Sequence, residues 1–169
     1  MPNLKYPLIS AEEAAANIPS GATVAFSGFS SAGAAKAVPR AIAQRARSFH
    51  RQGEAYRIRV LTGGSTGKSI DEELAAAEAI SWRAPYQSSP ILRGQINGGE
   101  VEYIDMHLSH VPQMVANGFF GKLDLAVIEA TEITPDGRVF LTTSIGASTC
   151  LKNLPINVGS PFVWTAGDE

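Results

Sequence analysis

The sequence predicts an α/β fold with three layers, α/β/α, around a mainly parallel sheet. Short apolar runs with the length of buried strands recur along the chain, and glycine-rich or polar turns follow them. Segments with helical periodicity lie between these runs, as in chains whose helices connect parallel strands. Ligands of such sheets bind at the carboxyl ends of the strands, so the loops that follow the strands are the candidate site.

Composition narrows the function classes. The chain has 169 residues, of which 44% are hydrophobic and 18% charged, which is typical of one globular domain. A net charge of −2 without a basic block argues against nucleic acid as a partner. The single cysteine, Cys150, excludes an intrachain disulfide and a zinc cluster built on cysteines. No apolar run approaches a membrane span, and residues 1–6 lack a secretory core, so we expect a cytoplasmic protein with no membrane partner.

The first part of the chain predicts a helix, a strand and a longer helix. Ser10 and Glu13 have the spacing of a capping box, which starts the first helix. Gly53 closes the longer helix, and Pro39 marks either a late first turn or a kink. The predicted elements are a helix over 11–17, a strand over 22–26 and a helix over 34–52.

A strand over 58–61 then leads into Thr62-Gly63-Gly64-Ser65-Thr66-Gly67-Lys68, and a helix runs from Ser69 to about Glu78. A strand, a glycine-rich turn and a helix N-terminus direct backbone N–H groups and the positive end of the helix dipole towards one place. We therefore expect a polar or anionic ligand near this loop.

The remaining elements continue the alternation. Ser89 caps a helix with Pro90 at its first position, and Ser109 caps the following helix. From about Thr149 the pattern stops, although residues 162–164 could form one last strand. The predicted elements are strands over 79–82, 101–104, 123–128 (the strongest in the chain) and 138–141, and helices over 90–97 and 109–115.

Gly67-Lys68-Ser69 fits the end of a P-loop, which gives an alternative function. Thr62 stands where the first glycine of that motif is required. After Ser69 and Ile70 come three acidic residues, Asp71, Glu72 and Glu73, in the region where a magnesium nucleotide needs a positive field. A nucleoside triphosphate site and a plain strand-to-helix turn therefore both remain open at this point.

Two loops rich in hydroxyl groups, Gly64-Ser65-Thr66 and Tyr86-Gln87-Ser88-Ser89, end two consecutive predicted strands. Hydroxyls and a carboxamide in this place suit a small carboxylate or a carbonyl oxygen. The same residue types are also common as turn formers and helix caps.

The segment Asp105-Met106-His107-Leu108-Ser109-His110 contains residue types of a catalytic triad or a metal site. Triad members normally come from separate parts of a chain, and no third metal ligand is evident, so we expect loop histidines and no metal. Cys150 has no base that the sequence can identify as its partner, which argues against a nucleophile.

Several phrases in one order and spacing resemble the N-terminal domain of the acetyl-CoA hydrolase/transferase family, which includes the succinyl-CoA:acetate CoA-transferases. The resemblance covers about residues 4–148 and implies a CoA-transferase-like fold. It also gives the Gly67-Lys68-Ser69 near match an explanation other than a nucleotide. The phrases are Phe26-Ser27-Gly28-Phe29 with Gly33, Lys36-Ala37-Val38-Pro39, Thr62-Gly63-Gly64-Ser65-Thr66-Gly67, Ala84-Pro85-Tyr86-Gln87, Asp105-Met106-His107-Leu108-Ser109, Val127-Ile128-Glu129-Ala130 and Thr142-Thr143-Ser144-Ile145-Gly146.

The resemblance implies an acyl-CoA:carboxylate CoA-transferase or an acetyl-CoA hydrolase, with coenzyme A as a substrate and no other cofactor. The family's nucleophilic glutamate lies in its C-terminal domain, so no residue here is expected to be catalytic, Glu129 and Glu132 included. The expected partners are acyl-CoA, small carboxylates, and either the missing C-terminal domain or further copies of this chain. The positions that the resemblance and the loops mark as substrate-binding are Ser65, Ser88, Gly28, Gly33, Gly64 and Gln87.

Position 88 often holds threonine in relatives, and serine keeps the hydroxyl there.

From the extent of the resemblance we predict an N-terminal domain over 1–148 and a divergent or truncated tail over 149–169, with no turnover by the chain alone. A non-catalytic interaction domain is the remaining alternative.

Overall fold

A computed structural model describes residues 7–136 and 138–143. A π-helical turn, Lys68–Glu72, directly precedes α3, and a 3₁₀ turn, Leu108–His110, directly precedes α5. The helices are α1 Ala11–Ala16, α2 Ala37–Arg51, α3 Glu73–Ala75, α4 Pro90–Asn97 and α5 Val111–Ala116. The strands are β1 Thr23–Phe26, β2 Ile58–Thr62, β3 Ile80–Ala84, β4 Glu102–Tyr103, β5 Leu125–Val127, β6 Ala130–Ile133 and β7 Val139–Leu141.

The main sheet has five parallel strands in the order β4-β3-β2-β1-β5. From β1 to β4 the chain moves steadily in one direction, and β5 then returns to the other side of β1. Because crossovers between parallel strands are right-handed, this reversal moves the connecting helix to the opposite face. The helices α2, α3 and α4 accordingly pack on one face and α5 on the other. The predicted three-layer α/β/α fold with a parallel sheet is confirmed.

Both faces of the sheet are apolar because side chains alternate along each strand. In β1, Val24 and Phe26 point into the larger core beneath α2, while Ala25 points into the smaller core beneath α5. Trp82 and Phe120 fill the smaller core, with ring centroids 5.5 Å apart in an edge-to-face arrangement. Two cores, one on each face of the sheet, therefore anchor the strands whose ends carry the candidate site.

The ends of the helices follow the sequence closely. Ser10 and Glu13 form the predicted capping box of α1. At the end of α2, the N–H of Gly53 donates to the carbonyl of His50 and that of Glu54 to Phe49, which is a Schellman motif. Pro39 is the third residue of α2 and so lies in the first turn. N–H groups there have no acceptor within the helix, so the proline removes no helical hydrogen bond.

Several predicted boundaries are wrong. The strand over 123–128 is only Leu125–Val127, and among the described residues β5 pairs with β1 alone. The helix from Ser69 begins as a π-helical turn at Lys68, and its α-helical part ends at Ala75. Ser109 does not cap the next helix; His107 takes that place before the 3₁₀ turn.

The returning strand over 138–141 is β7, and it forms an antiparallel hairpin with β6, a strand that the sequence pattern did not reveal. The proposed last strand over 162–164 and the tail over 149–169 lie outside the described residues. Among the helices in the described ranges, none combines the length and the apolar character needed to cross a membrane.

Candidate functional site

A cleft of about 810 Å³ opens at the carboxyl edge of the sheet. Loops from four strands line it: those after β1, β2, β3 and β4. This is the edge at which ligands of parallel sheets bind. The lining residues are Phe29, Ser30, Gly64, Ser65, Tyr86, Ser88, Asp105, Met106, His107 and Leu108.

Two serine hydroxyls meet at the cleft. Ser65 follows β2 and Ser88 follows β3, and these strands are neighbours in the sheet. Their Oγ atoms lie 2.5 Å apart, which makes a hydrogen bond in which either hydroxyl can be the donor. Because each hydroxyl has one proton, one O–H of the pair remains free to donate to a ligand oxygen. The arrangement suits an oxygen-rich anion such as a carboxylate.

The loop after β1 forms the next wall. Gly28 has φ +124°, and a Cβ there would lie 2.7 Å from the Cα and Cβ of Ala34, so only glycine fits. Phe29 follows this close contact, and its ring packs against Gly64. A Cβ on Gly64 would lie 3.2 Å from that ring. The N–H of Ser30 donates to the carbonyl of Ser65 at 2.6 Å, so this loop and the Ser65 loop are joined.

The six predicted binding residues take different places. Ser65, Ser88 and Gly64 line the cleft, whereas Gly28 and Gly33 are buried in the loop that shapes one wall. The side chain of Gln87 is buried beside the cleft, and its Oε1 has no hydrogen-bond partner among the described residues. Substrate binding by these residues stays a prediction.

The loop after β4 adds a wall that the sequence analysis interpreted only as loop histidines. The N–H of Ser109 donates to Nδ1 of His107 at 3.3 Å, and the Ser109 hydroxyl lies 2.7 Å from the same nitrogen. Since an N–H can only donate, Nδ1 is the acceptor, and the proton of a neutral ring is on Nε2. His107 lines the cleft, and the N–H donor of its neutral ring is Nε2. In the described ranges, no three His, Cys, Asp or Glu side chains are grouped as a metal site requires.

Beneath this wall, the hydroxyl of Tyr103 donates to the carbonyl of Pro85 at 3.1 Å. Burial raises the pKa of Tyr103, and the nearby Asp105 carboxylate raises it further. Tyr103 thus stays a neutral hydrogen-bond donor that ties β4 to the loop after β3.

A buried ion pair lies under the cleft, and sequence analysis missed it. Arg83 in β3 and Asp71 in the π-helical turn are both completely inaccessible to solvent. The Arg83 Nε lies 2.8 Å from Asp71 Oδ1, and an Nη atom lies 3.2 Å from Oδ2. The only sequence signal is an arginine inside an otherwise apolar strand, together with an acid one turn into a helix.

One backbone amide of the glycine-rich turn is already engaged within the protein. The N–H of Thr66 donates to Asp71 Oδ2 at 3.2 Å, so an internal carboxylate takes the place of an external anion at that amide. Lys68 points into solvent. This geometry gives the P-loop alternative no support.

A second network joins the ends of β1 and β5. The hydroxyl of Ser27 donates to the carbonyl of Gly33 at 2.8 Å and accepts from the N–H of Glu129 at 2.9 Å. Glu129 is ion-paired with Lys36 at 2.6 Å. The Glu129 carboxylate is thereby engaged by a cation.

Comparison with known proteins identifies the family. The profile described as "Acetyl-CoA hydrolase/transferase N-terminal domain" matches residues 3–153. The propanoyl-CoA:succinate CoA transferase of Escherichia coli is 54% identical over 138 residues, which are 82% of this chain and 28% of that protein. The succinyl-CoA:acetate CoA-transferase of Clostridium kluyveri is 39% identical over 143 residues, 85% of this chain and 26% of that protein. The chain thus spans little more than a quarter of the length of these relatives.

Solved structures show the same fold. RipA from Yersinia pestis superposes with a TM-score of 0.55 and 22% identity, covering 75% of this chain and 29% of that one. The acyl-CoA transferase YdiF from Escherichia coli, in a thioester complex with CoA, has a TM-score of 0.54 and 16% identity, covering 69% of this chain and 23% of that one. The profile match covers most of the chain. The chain therefore belongs to the acetyl-CoA hydrolase/transferase family, of which it represents the N-terminal domain.

Proposed function

We propose that this chain supplies one wall of the substrate cleft of an acyl-CoA:carboxylate CoA-transferase or an acetyl-CoA hydrolase. The observation that carries the proposal is the pair of hydroxyls, Ser65 and Ser88, 2.5 Å apart in an open cleft. The relatives support it, because their names describe CoA transfer to succinate or acetate and acetyl-CoA hydrolysis.

In this reaction class a carboxylate attacks the thioester carbonyl and the CoA thiolate leaves. Each step passes through a tetrahedral centre with negative charge on oxygen, which hydrogen-bond donors stabilise. The free O–H of the serine pair and the Nε2–H of His107 are the side-chain donors that we assign to ligand oxygens. The family resemblance places the nucleophilic glutamate in the C-terminal domain, so we expect turnover to require that domain.

We expect Ser65→Ala and Ser88→Ala each to weaken acetate and succinate binding about tenfold, the effect of losing one ligand hydrogen bond. The measurement is calorimetric titration of the purified chain with acetate, succinate and acetyl-CoA. Ser81→Ala is the matched control, because its hydroxyl donates to the carbonyl of Ile58 within the sheet and does not line the cleft.

Equal affinities for wild type and both cleft variants would refute the hydroxyl assignment. Mg-ATP serves as a fourth titrant. Saturable Mg-ATP binding that disappears in Lys68→Ala would instead support a nucleotide site.

The proposed function also identifies a partner, the C-terminal domain. We infer that the C-terminal domain closes the cleft from the side where Phe29, Tyr86 and Leu108 are exposed. A cytoplasmic location stays a prediction that cell fractionation would test.

A further inference from the structure

Arg83 makes hydrogen bonds to both loops that carry the serine pair. One Nη atom donates to the carbonyl of Gly64 at 3.2 Å and to that of Tyr86 at 2.9 Å. The other Nη donates to the carbonyl of Ala84. A guanidinium is a rigid planar fork, so it fixes these carbonyls relative to one another.

Asp71 completes the arrangement from the other side. Its carboxylate holds Arg83 through both oxygens and also accepts the N–H of Thr66. Ser65 is therefore anchored on both flanks, through the carbonyl before it and the N–H after it. Ser88 is two residues from the anchored carbonyl of Tyr86.

General energetics argue that this pair has a role beyond stability. Burying two charges costs desolvation energy, and apolar residues of similar volume often serve stability equally well or better. A fully buried pair that makes hydrogen bonds to both cleft loops is better explained by what it positions. Its contacts with Gly64, Thr66 and Tyr86 lie beside Ser65 and Ser88.

We propose that Arg83 and Asp71 are positioning residues that set the spacing of the Ser65 and Ser88 hydroxyls for a carboxylate ligand. The consequence for binding rests on the function proposed above, whereas the consequence for loop geometry does not. Neither residue lines the cleft, so both act through the two loops.

The test separates stability from positioning. Arg83→Met/Asp71→Leu removes both charges together, so no uncompensated charge is left in the core. We expect a cooperatively folded protein by circular dichroism, with acetate and succinate affinity reduced at least about tenfold. Amide hydrogen exchange at Thr66 should accelerate, because its N–H loses the Asp71 acceptor.

The matched control is Arg47→Gln/Glu73→Gln. This pair joins α2 to the first residue of α3 at 3.3 Å, but it is partly exposed to solvent. We expect unchanged affinity and unchanged exchange at Thr66. A double variant of the buried pair that folds and binds both ligands with wild-type affinity would overturn the proposal.

If the Arg83→Met/Asp71→Leu protein does not fold, the smaller apolar pair Arg83→Leu/Asp71→Ala takes its place, since it also removes both charges together and the acceptor of the Thr66 N–H. Reduced affinity with faster exchange at Thr66 supports the proposal, and wild-type values for both overturn it. If the wild type binds none of the ligands, the proposed function fails. The exchange rates at Thr66 then test only whether Arg83 and Asp71 hold the cleft loops in place. Faster exchange in the buried-pair variant, but not in the control, supports that role.

Discussion

At the residue scale, Gly28 determines the course of the loop that carries Phe29 and Ser30 to the cleft. We expect Gly28→Ala to lower the free energy of unfolding by about 1–3 kcal/mol, the range for a residue forced into a disfavoured backbone region. The added Cβ would also lie 2.7 Å from Ala34, so the loop must shift. Thermal unfolding of the purified variant measures the effect.

Gly94→Ala is the matched control, because it makes the same change inside α4 with no atom within 4 Å of the new Cβ. Alanine favours helix over glycine, so we expect stabilisation by about 0.5–1 kcal/mol. Equal shifts in the two variants would contradict the special role of Gly28.

Residue-scale prediction succeeded where a local signal existed. The family resemblance and the hydroxyl-rich loops after two consecutive strands pointed to Ser65 and Ser88, which do meet at one sheet edge, while their role in binding stays a prediction. Arg83 and Asp71 were missed because a charged side chain viewed alone is expected in solvent, and their partnership links an arginine to an acid 12 residues earlier. His107 was interpreted as a loop histidine because no third metal ligand accompanied it, although the rule that the loops after the strands form the site applied to this loop as well.

At the element scale, β5 is attached to β1 by a reciprocal pair of hydrogen bonds just before it begins. The N–H of Asp124 donates to the carbonyl of Thr23 at 2.9 Å, and the N–H of Thr23 donates to the Asp124 carboxylate at 3.0 Å. Burial alone would raise the pKa of Asp124, but the Thr23 hydrogen bond and the Lys122 ammonium lower it below its usual value of 3.8.

A lowered pKa in the folded state means that the Asp124 carboxylate stabilises the protein above the unfolded pKa. This contribution is lost as pH falls through the folded pKa. We expect Asp124→Asn to lower the melting temperature at pH 7 and to make its decline below pH 4 less steep. Melting curves from pH 7 to pH 2 test this, and identical pH profiles for variant and wild type would contradict it.

Element prediction depended on whether a pattern was local. The capping box of α1 and the Schellman end of α2 use residues a few positions apart, and both were predicted. The edge position of β5 follows from the sheet order, which no short pattern encodes. The strand β6 was missed because the alternation in Ala130-Thr131-Glu132-Ile133 is too short to identify a strand.

At the scale of the whole molecule, the sheet order predicts which strands unfold locally least often. The strands β1, β2 and β3 are paired on both sides, whereas β4 and β5 are edges. We expect amide hydrogen exchange to be slowest in β1 and β2, whose residues are largely buried, and fastest in β4 and the β6–β7 hairpin. Exchange in β4 as slow as in β2 would show that another surface covers that edge.

The fold class was predictable because it needs only the alternation of strands and helices and the handedness of the crossovers. The family resemblance added the cleft residues. The contacts that hold the cleft loops together were not predictable, since they join positions whose proximity is known only after the strand order is known.

The pairing of β1 with β5 also has a consequence for biosynthesis. Thr23 and Asp124, which join these strands, are 101 residues apart in the chain. One edge of β1 therefore stays unpaired on the ribosome until β5 has been translated and has left the exit tunnel. An unpaired strand edge attracts other extended chains, so the nascent protein depends on prompt completion, or on a chaperone, during that interval.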